Sequence, residues 1–344
     1  MTNHLYIKDF LGKYFQELYL SSQQQKYLGS GLSDFFDQRF IIQDNKVQMI
    51  IDPKMKGLSI QVHGNEIFVS QELFDHPMIE VSNSIESDAQ SIPASLYSSE
   101  SFSLIAFLIC QNHTMFRIIG ALNQPIYVKY TSEFEHFYNS VIIFDILNRL
   151  NVEIVEEIES HGALNTASNY IIHDNATLRL TTIYSNTLSS VSMIHRHVIS
   201  QSNSTYVHNL LGTGSSLIID ENKLVPHTGA KVELNGIINS KKSHFHSVVK
   251  LQPTDNHFTS VTEYRNILQK PTSVTFYPMI TGDFPEENAK ILISNIDLDE
   301  IPEAQQKSEI ITYIKEAMTK FIAYSQVNVE RFDRNRDYFL QTLL

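Results

Sequence analysis

The sequence has little cysteine, glycine and charge for its length. Of its 344 residues, one is cysteine, 12 are glycine and 19% are Asp, Glu, Lys or Arg. The single cysteine, Cys110, excludes a disulfide framework, a cysteine-rich zinc site and an iron–sulfur cluster held by this chain's thiolates alone. Helical surfaces are usually built from Glu, Lys and Arg. Because Ser, Thr, Asn, Gln and His take the place of charged residues here, the composition favours a β-rich fold.

The sequence also lacks a long apolar run and an excess of basic residues. The longest apolar run, Leu104–Cys110, is too short to span a bilayer. No apolar stretch follows a basic tip near residue 1, as it does in a secretory signal. Lys and Arg number 26 against 38 Asp and Glu, and the net charge of −12 argues against nucleic acid and membranes as partners. We therefore expect a soluble, cytoplasmic, globular protein.

The pattern along the chain divides it into three parts. Apolar residues recur at three- and four-residue spacing over residues 1–28, which predicts a helix. Short alternating segments follow, and the Ser-rich stretch 83–103 is typical of a loop or linker. We assign residues 1–102 to an N-terminal α/β region, 103–303 to a β core and 304–344 to a C-terminal helical region.

The β core is predicted to contain many short strands rich in β-branched and aromatic residues. Several strands follow the same phrase, a polar or glycine residue and then a small residue, at Asn175, Asn203, Gly214 and Gly229. This recurrence is typical of the coils of a β-solenoid, although a large antiparallel sandwich fits the same phrases. Val141–Leu150 is open to two interpretations. Its apolar spacing and a possible capping box just upstream fit a helix, while its β-branched run favours a strand.

Common catalytic motifs are absent from the sequence. It contains no Walker A loop, no His-Glu-x-x-His, no Gly-x-Ser-x-Gly and no Cys-x-x-Cys. The segment 212–217 is glycine-rich, but it leads into a predicted strand instead of a helix, so we predict a turn and no phosphate site. Cys110 ends an apolar strand and is predicted to be a buried packing residue.

Histidines are the remaining candidates for chemistry. His195 and His197 are two residues apart, as are His244 and His246, so each pair points to one face of a strand. Such a pair can hold a transition metal, or it can simply lie on the polar outward face of a sheet. His257 lies in a predicted turn.

Five successive phrases of the core resemble the SufB/SufD family of iron–sulfur cluster assembly proteins. The family shows a Leu-Asn-Gly strand, a His-rich strand, a His-containing turn, a Tyr-containing strand and a Ser-x-x-x-Phe strand, in this order and near this spacing. The matching phrases are Leu234–Ile238, His244–His246, Asp255–Ser260, Glu263–Leu268 and Ser273–Phe276. Weaker likeness on both sides extends the resemblance to roughly residues 140–305.

The resemblance implies a fold and a set of partners. The family core is a right-handed parallel β-helix with an N-terminal α/β region and C-terminal helices, which makes Val141–Leu147 a strand. SufB and SufD pair through their β-helices, and their C-terminal helices bind a SufC-type ABC ATPase. The implied partners are thus a SufB-like paralogue, or a second copy of this chain, and a SufC-like ATPase. The complex would carry a transient iron–sulfur cluster, with no cofactor bound stably by this chain alone.

The single cysteine makes the chain more similar to SufD than to SufB. We therefore expect a divergent, C-terminally shortened SufD-like scaffold that is not an enzyme. His257, His246 and His244 are the candidates for a polar patch that contacts metal or cluster near the partner interface. An apolar stripe of the predicted tail helix is the candidate docking surface for the ATPase, and it contains Ile310, Ile314, Met318 and Phe321.

Two departures from the family pattern keep other functions open. Phe276-Tyr277-Pro278 stands where the family has Phe-Asn-Gly, and the family's C-terminal Cys-x-His-Gly-Ala-Thr motif has no counterpart, since no histidine follows His257. The alternative is a β-solenoid interaction protein or a metal-chaperone accessory protein, similar to a urease accessory protein, without a role in cluster assembly. A hydrolase or lyase on a β-helix would need clustered carboxylates on one face, and the middle of the chain has few.

Overall fold

The computed structural model describes a chain that is mainly β, with very few helical residues in the described part. The described residues are 4–6, 39–42, 48–64, 66–84, 113–185, 190–214, 217–241, 244–269, 273–281, 285–297 and 300–301.

The first seven strands and one short helix come before the regular coils. The strands are β1 (His4–Tyr6), β2 (Arg39–Ile42), β3 (Gln48–Asp52), β4 (Ser59–His63), β5 (Glu66–Ser70), β6 (Ile79–Ser84) and β7 (His113–Ile118). Helix α1 (Gln71–Phe74) begins after Ser70, whose side chain accepts a hydrogen bond from the Leu73 amide. The short strands of this part form both parallel and antiparallel pairs. The antiparallel pairs are β1–β2, β4–β5 and β6–β7.

Thirteen further strands form the coils. They are β8 (Ile126–Ser132), β9 (His136–Ile146), β10 (Asn151–Ser160), β11 (Ala163–Ile172), β12 (Thr177–Ser185), β13 (Val191–Ser200), β14 (Thr205–Gly214), β15 (Leu217–Pro226), β16 (Lys231–Lys241), β17 (His244–Leu251), β18 (Thr259–Gln269), β19 (Ser273–Ile280) and β20 (Ala289–Asp297). A single 3-10 turn, Glu286–Asn288, precedes β20.

The coils place alternate strands in two facing sheets. Sheet A contains β9, β11, β13, β15, β17 and β19 in that order, and sheet B contains β8, β10, β12, β14, β16, β18 and β20. All pairs within these two series are parallel. Leu178 lies opposite Tyr206, 28 residues on, and Tyr206 opposite Val232, 26 residues on. The chain is therefore a parallel β-solenoid of about six turns, and the antiparallel sandwich is excluded.

Alternation along each strand explains why the sheets face each other. In β8, Ile126, Val128 and Tyr130 are buried, while the residues between them are partly exposed. The inward side chains of both sheets form one hydrophobic core that fills the space between them, here called the lumen. A strand's two-residue period puts every second side chain in this core.

The turns from sheet A to sheet B contain a column of left-handed residues. Arg149, Asn175, Asn203 and Gly229 have φ angles of 65°, 60°, 56° and 72°. The amide of each donates to a carbonyl in the turn of the next coil, as from Arg149 to Asp174 O at 3.1 Å. Asn and Gly tolerate this conformation best. The phrases noted at Asn175, Asn203 and Gly229 are therefore turn positions repeated once per coil.

Several sequence predictions are confirmed or corrected by these elements. Val141–Ile146 is strand within β9, as the resemblance implies, and Leu147 follows the end of that strand. The capping box is wrong, because Ser132 ends β8 and Glu135 has a φ of 64° in the turn before β9. The prediction of a turn in the glycine-rich segment is wrong at Gly212, because this residue lies in β14 and faces the Phe245 ring.

The predicted terminal helices are mostly outside the described residues. His4–Tyr6 is a strand paired with β2, which corrects the beginning of the predicted helix 1–28. The remainder of that helix, Cys110 and the region 304–344 lie outside the described residues. The candidate docking residues Ile310, Ile314, Met318 and Phe321 belong to that region.

Candidate functional site in the lumen of the β-helix

The structure places His244 and His246 on the outward face of sheet A, at the start of β17. Phe245, between them, points into the lumen and contacts Tyr184 edge-on, with ring centroids 5.9 Å apart. The His246 side chain is nevertheless buried, with 4% of its surface exposed. Burial, together with the neighbouring His244, lowers the pKa of His246 to about 4. His246 is therefore uncharged at neutral pH.

His257 lies at the other end of the strand that carries His246. It is exposed in the turn between β17 and β18, where its amide donates to Asp255 Oδ1 at 2.8 Å. Five residues of strand separate His246 from the end of β17 at Leu251, which at about 3.3 Å per residue is roughly 16 Å. The structure therefore does not bring His257 together with His244 and His246.

The other histidine pair, His195 and His197, also points outward from sheet A but is buried. His195 Nδ1 is 3.0 Å from Glu221 Oε2, and Lys250 Nζ is 2.6 Å from Glu221 Oε1. The hydrogen bond from His195 and the charge of Lys250 lower the pKa of Glu221 to about 2, although burial acts in the opposite direction. Lys250 is thus already paired with Glu221, the carboxylate that a metal ion bound beside His195 would need as a ligand.

Among the described residues, no group of three or more His, Cys, Asp or Glu side chains is arranged to hold a metal ion. Nor is any helix in the described ranges long and apolar enough to cross a membrane.

The lumen contains a charged cluster that sequence reasoning missed. Arg196, on β13, points inward with 1% of its surface exposed. Its Nη2 lies 2.8 Å from Glu156 Oε2, on β10 of the opposite sheet. Its Nη1 lies 2.5 Å from Asp220 Oδ2, on the next strand of its own sheet. One guanidinium thus joins both sheets and three successive coils.

Tyrosines and an amide complete the hydrogen bonds of the two carboxylates. The Tyr170 hydroxyl donates to Glu156, and the Tyr184 hydroxyl donates to Asp220. Asn222 Nδ2 donates to the second oxygen of Asp220 at 2.5 Å. A buried carboxylate is tolerated only when it is paired and hydrogen-bonded, and both carboxylates meet this condition.

Thr182 and His208 extend the cluster along sheet B. Thr182 Oγ1 donates to Glu156 Oε2 at 2.9 Å, and it lies 3.0 Å from His208 Nε2 and 3.1 Å from Arg196 Nη2. We call Glu156, Thr182, Arg196, His208 and Asp220, with the side chains bonded to them, the Arg196 cluster.

The protonation states of the cluster follow from burial and from Arg196. The charge of Arg196 outweighs burial at Asp220 and holds the pKa of that carboxyl below its usual range. Burial, reinforced by Arg196, lowers the pKa of His208 to about 3. The desolvated hydroxyls of Tyr170 and Tyr184 have pKa values well above the ordinary value, which keeps them protonated. At neutral pH the cluster therefore holds the Arg196 cation beside a deprotonated Asp220 and an uncharged His208.

The signal that could have revealed the cluster was a charge in the apolar phase of a strand. Glu156 follows Val152 and Ile154 at two-residue spacing, and Arg196 follows Ile194 in the same way. These neighbours are lumen residues, so the charged side chains must be inside as well. In this closed position they bind both sheets together, and they contact no surface that a substrate could reach.

The fold and this interior define the chain as a parallel β-helix protein with a charged lumen. No protein-family model matches the sequence, and no curated protein matches it either.

Proposed function

We propose that the chain is a non-catalytic scaffold subunit for iron–sulfur cluster assembly, similar to SufD. The observation that carries the proposal is the placement of the five family-like phrases. Leu234–Ile238 lies on β16, His244–His246 on β17, Asp255–Ser260 in the following turn and strand start, Glu263–Leu268 on β18 and Ser273–Phe276 on β19. They therefore occupy consecutive elements of one continuous β-helix, as the resemblance requires.

Two of these phrases are coupled by packing. Gly236, in the Leu-Asn-Gly phrase, lies directly opposite Tyr264 of the next coil. A Cβ atom at residue 236 would be 2.4 Å from Cδ1 of the Tyr264 ring. The glycine of one phrase thus makes room for the tyrosine of another, which supports reading the two phrases as parts of one motif.

The last coil has the features of a surface that pairs with another β-helix. Among the described residues, β19 pairs only with β17, and β20 only with β18. Ile280, Leu292 and Ile293 in these strands are 44%, 55% and 44% exposed. Edge strands with exposed apolar side chains readily accept another strand. In the proposal, a SufB-like paralogue or a second copy of this chain covers this end.

The proposed partners also include a SufC-like ABC ATPase. The stripe Ile310, Ile314, Met318 and Phe321 remains the predicted contact for it, and His244, His246 and His257 remain candidates for a patch near the partners. A cluster, if one forms, is transient and belongs to the complex, with this chain as scaffold.

Co-expression tests the proposal and its pairing surface together. We would co-express the tagged chain with the SufC-like ATPase and SufB-like protein of the same genome and purify it anaerobically. We expect both partners at fixed ratios, with iron and sulfide in the complex. Ile314→Asp or Met318→Asp should remove the ATPase, and Leu292→Asp should remove the pairing partner or the homodimer seen by light scattering.

Ile51→Asp is the matched control for Leu292→Asp. Ile51 is 37% exposed on β3, at the opposite edge of the same sheet, so its replacement should leave pairing unchanged. A complex that assembles clusters equally well without this chain would contradict the scaffold proposal. If neither partner binds and the chain instead delivers another metal ion to an enzyme, the accessory-protein alternative replaces it.

A further inference from the structure

A partly buried histidine joins the N-terminal strands to the first coil. His63 ends β4, and its Nδ1 lies 2.8 Å from Oγ1 of Thr131, directly opposite on β8. Its other ring nitrogen, Nε2, lies 3.2 Å from the Tyr138 hydroxyl on β9. Nε2 is also 3.4 Å from Oε1 of Glu133, in the turn between β8 and β9. One imidazole thus contacts both sheets and the turn that connects them.

The hydrogen bonds of Tyr138 and Thr131 show which nitrogen of neutral His63 carries the proton. Tyr138 has 1% of its surface exposed, and among the described residues its hydroxyl reaches a single acceptor, His63 Nε2. Burial raises the pKa of Tyr138 to about 12, so this hydroxyl keeps its hydrogen and donates it. Nε2 is therefore bare. Nδ1 carries the proton and donates to Thr131 Oγ1, whose own hydrogen goes to Val62 O at 3.4 Å.

Protonation of His63 changes what Nε2 can bind. Histidine is the side chain whose charge ordinarily changes between pH 5 and pH 8. When Nε2 gains a hydrogen, it can no longer accept from Tyr138, and the carboxylate within reach is that of Glu133. A charged donor and a carboxylate form a stronger hydrogen bond than two neutral groups. The partner of Nε2 therefore changes from a hydroxyl that donates to a carboxylate that accepts.

The groups around His63 leave Glu133 as this acceptor. The charged and titratable side chains on the packed strands and turn are Glu66, Lys129, Glu133, His136, Tyr138 and Glu159. Lys129 is paired with Glu159, with Nζ 2.5 Å from Oε2. Glu66 lies opposite His63 on β5, and within the described part of the chain the two form no ion pair. His136 Nδ1 is 3.9 Å from Oε2 of Glu133, so it faces the other oxygen of that carboxylate.

We propose that His63 is a pH-sensitive switch between the N-terminal strands and the first coil. While the imidazole is neutral, it binds Tyr138 and Thr131, and Glu133 is not its partner. Once it is protonated, it donates to Glu133 and ties turn 133–135 to the end of β4. This turn presents Phe134, which at 67% exposure is the most exposed large apolar side chain of the described residues. Acidification therefore fixes the position of that aromatic ring. The proposal does not depend on the function proposed above.

Nuclear magnetic resonance of the full chain, labelled with ¹⁵N and ¹³C, tests the switch between pH 8 and pH 5. At pH 8 we expect the His63 proton on Nδ1 alone. At pH 5 we expect protons on both nitrogens and a shift of the Tyr138 Cζ resonance, because its hydroxyl has lost its acceptor. We also expect the backbone order parameters of residues 133–135 to rise on acidification.

Two glutamates in the same turn supply a variant and its matched control. Glu133→Gln should leave the proton on Nδ1 at pH 8 but abolish the rise in order parameters at pH 5. Glu135→Gln removes the same charge from an exposed residue that forms no ion pair with His63 in the described ranges, so it should keep the rise.

Three results would overturn the proposal. The first is a proton on Nε2 of neutral His63, and the second is a turn whose order parameters do not rise on acidification of the unmodified protein. The third is an equal loss of the rise in Glu133→Gln and Glu135→Gln. The first two are read from the unmodified protein, so the test stands even if a variant fails to fold.

Discussion

Arg196 has a larger role than its single position suggests, because two buried carboxylates depend on it. Glu156 and Asp220 are fully buried and approach the guanidinium from opposite sheets. A buried ion pair contributes little compared with a well-packed apolar group, but breaking one leaves an uncompensated charge. The consequence of losing Arg196 is therefore set by the two carboxylates that would remain.

We predict that Arg196→Ala lowers the free energy of unfolding by about 3–5 kcal/mol, because it leaves both carboxylates without a cation in the lumen. Urea unfolding followed by circular dichroism measures the effect. Arg149→Ala is the control, since Arg149 is an exposed arginine in a turn and its loss should change stability by less than about 0.5 kcal/mol. Equal effects of the two substitutions would show that the Arg196 cluster is not the stabilising feature described above.

At the scale of single strands, the apolar alternation predicted most of what is found. Val141-Ile142-Ile143-Phe144 reads as strand from its β-branched residues, and it lies within β9. The outward side chains were harder to predict. For His195 and His246 the sequence leaves open a metal site or a polar outward face and does not indicate burial, yet each has only 4% of its surface exposed. Alternation indicates which way a side chain points, but it carries no information about what covers the outer face of a sheet.

Burial of His246 on β17 makes the stability of the protein depend on pH. The unfolded imidazole has a pKa near 6.5, while that of folded His246 is about 4. Below pH 6.5 the unfolded state therefore binds a proton that the folded state does not, and stability falls as the pH falls. His246→Asn should remove up to about 3 kcal/mol of this loss between pH 7 and pH 4. Urea unfolding at several pH values measures it, with the exposed His257→Asn as control.

Glu153 on β10 acts in the opposite direction and sharpens the test. Burial raises its pKa to about 7, so between pH 4.5 and pH 7 its folded form holds a proton that the unfolded form has lost. Its contribution to stability increases as the pH falls. Glu153→Gln should therefore steepen the loss of stability on acidification, whereas His246→Asn should flatten it. Parallel pH profiles for the two variants would contradict both assignments.

For the whole molecule, the repeated turn phrases predicted a solenoid but left the sandwich open. The spacing alone could not decide, because alternate strands go to different sheets and a complete coil takes 26 or 28 residues between the turns at Arg149, Asn175, Asn203 and Gly229. The Arg196 cluster could not be predicted as a site either. The partners that Arg196 binds directly are 14 to 40 residues away from it along the chain, and only the coiling brings them together.

Because Lys231 lies opposite Thr259 in register, a complete coil can be removed while every later strand stays in its own sheet and keeps the same side chains facing the lumen. We predict that deletion of residues 231–258, which joins residue 230 to Thr259, gives a folded, cooperatively unfolding β-helix one coil shorter, since each coil contacts mainly its neighbours. Circular dichroism and urea unfolding check this. Deletion of residues 231–243 would join residue 230 to β17, so that a strand of sheet A would take the position of a strand in sheet B. That variant should be unfolded. If both deletions unfold the protein, coils are not independent units.

The column of left-handed turn residues also links the corners of successive coils. Each turn amide, at Arg149, Asn175 and Asn203, donates forward to a carbonyl of the following coil. That carbonyl belongs to the same peptide group as the next turn amide, so the bonds form a series in which each polarises the next. Neighbouring amides at the same corners donate backward, as from His173 to Ile146 O, so the opposed series cancel as dipoles. Corners that would be the loosest points of an ordinary sheet are thus tied to the coil on either side, and opening one corner weakens both of its neighbours.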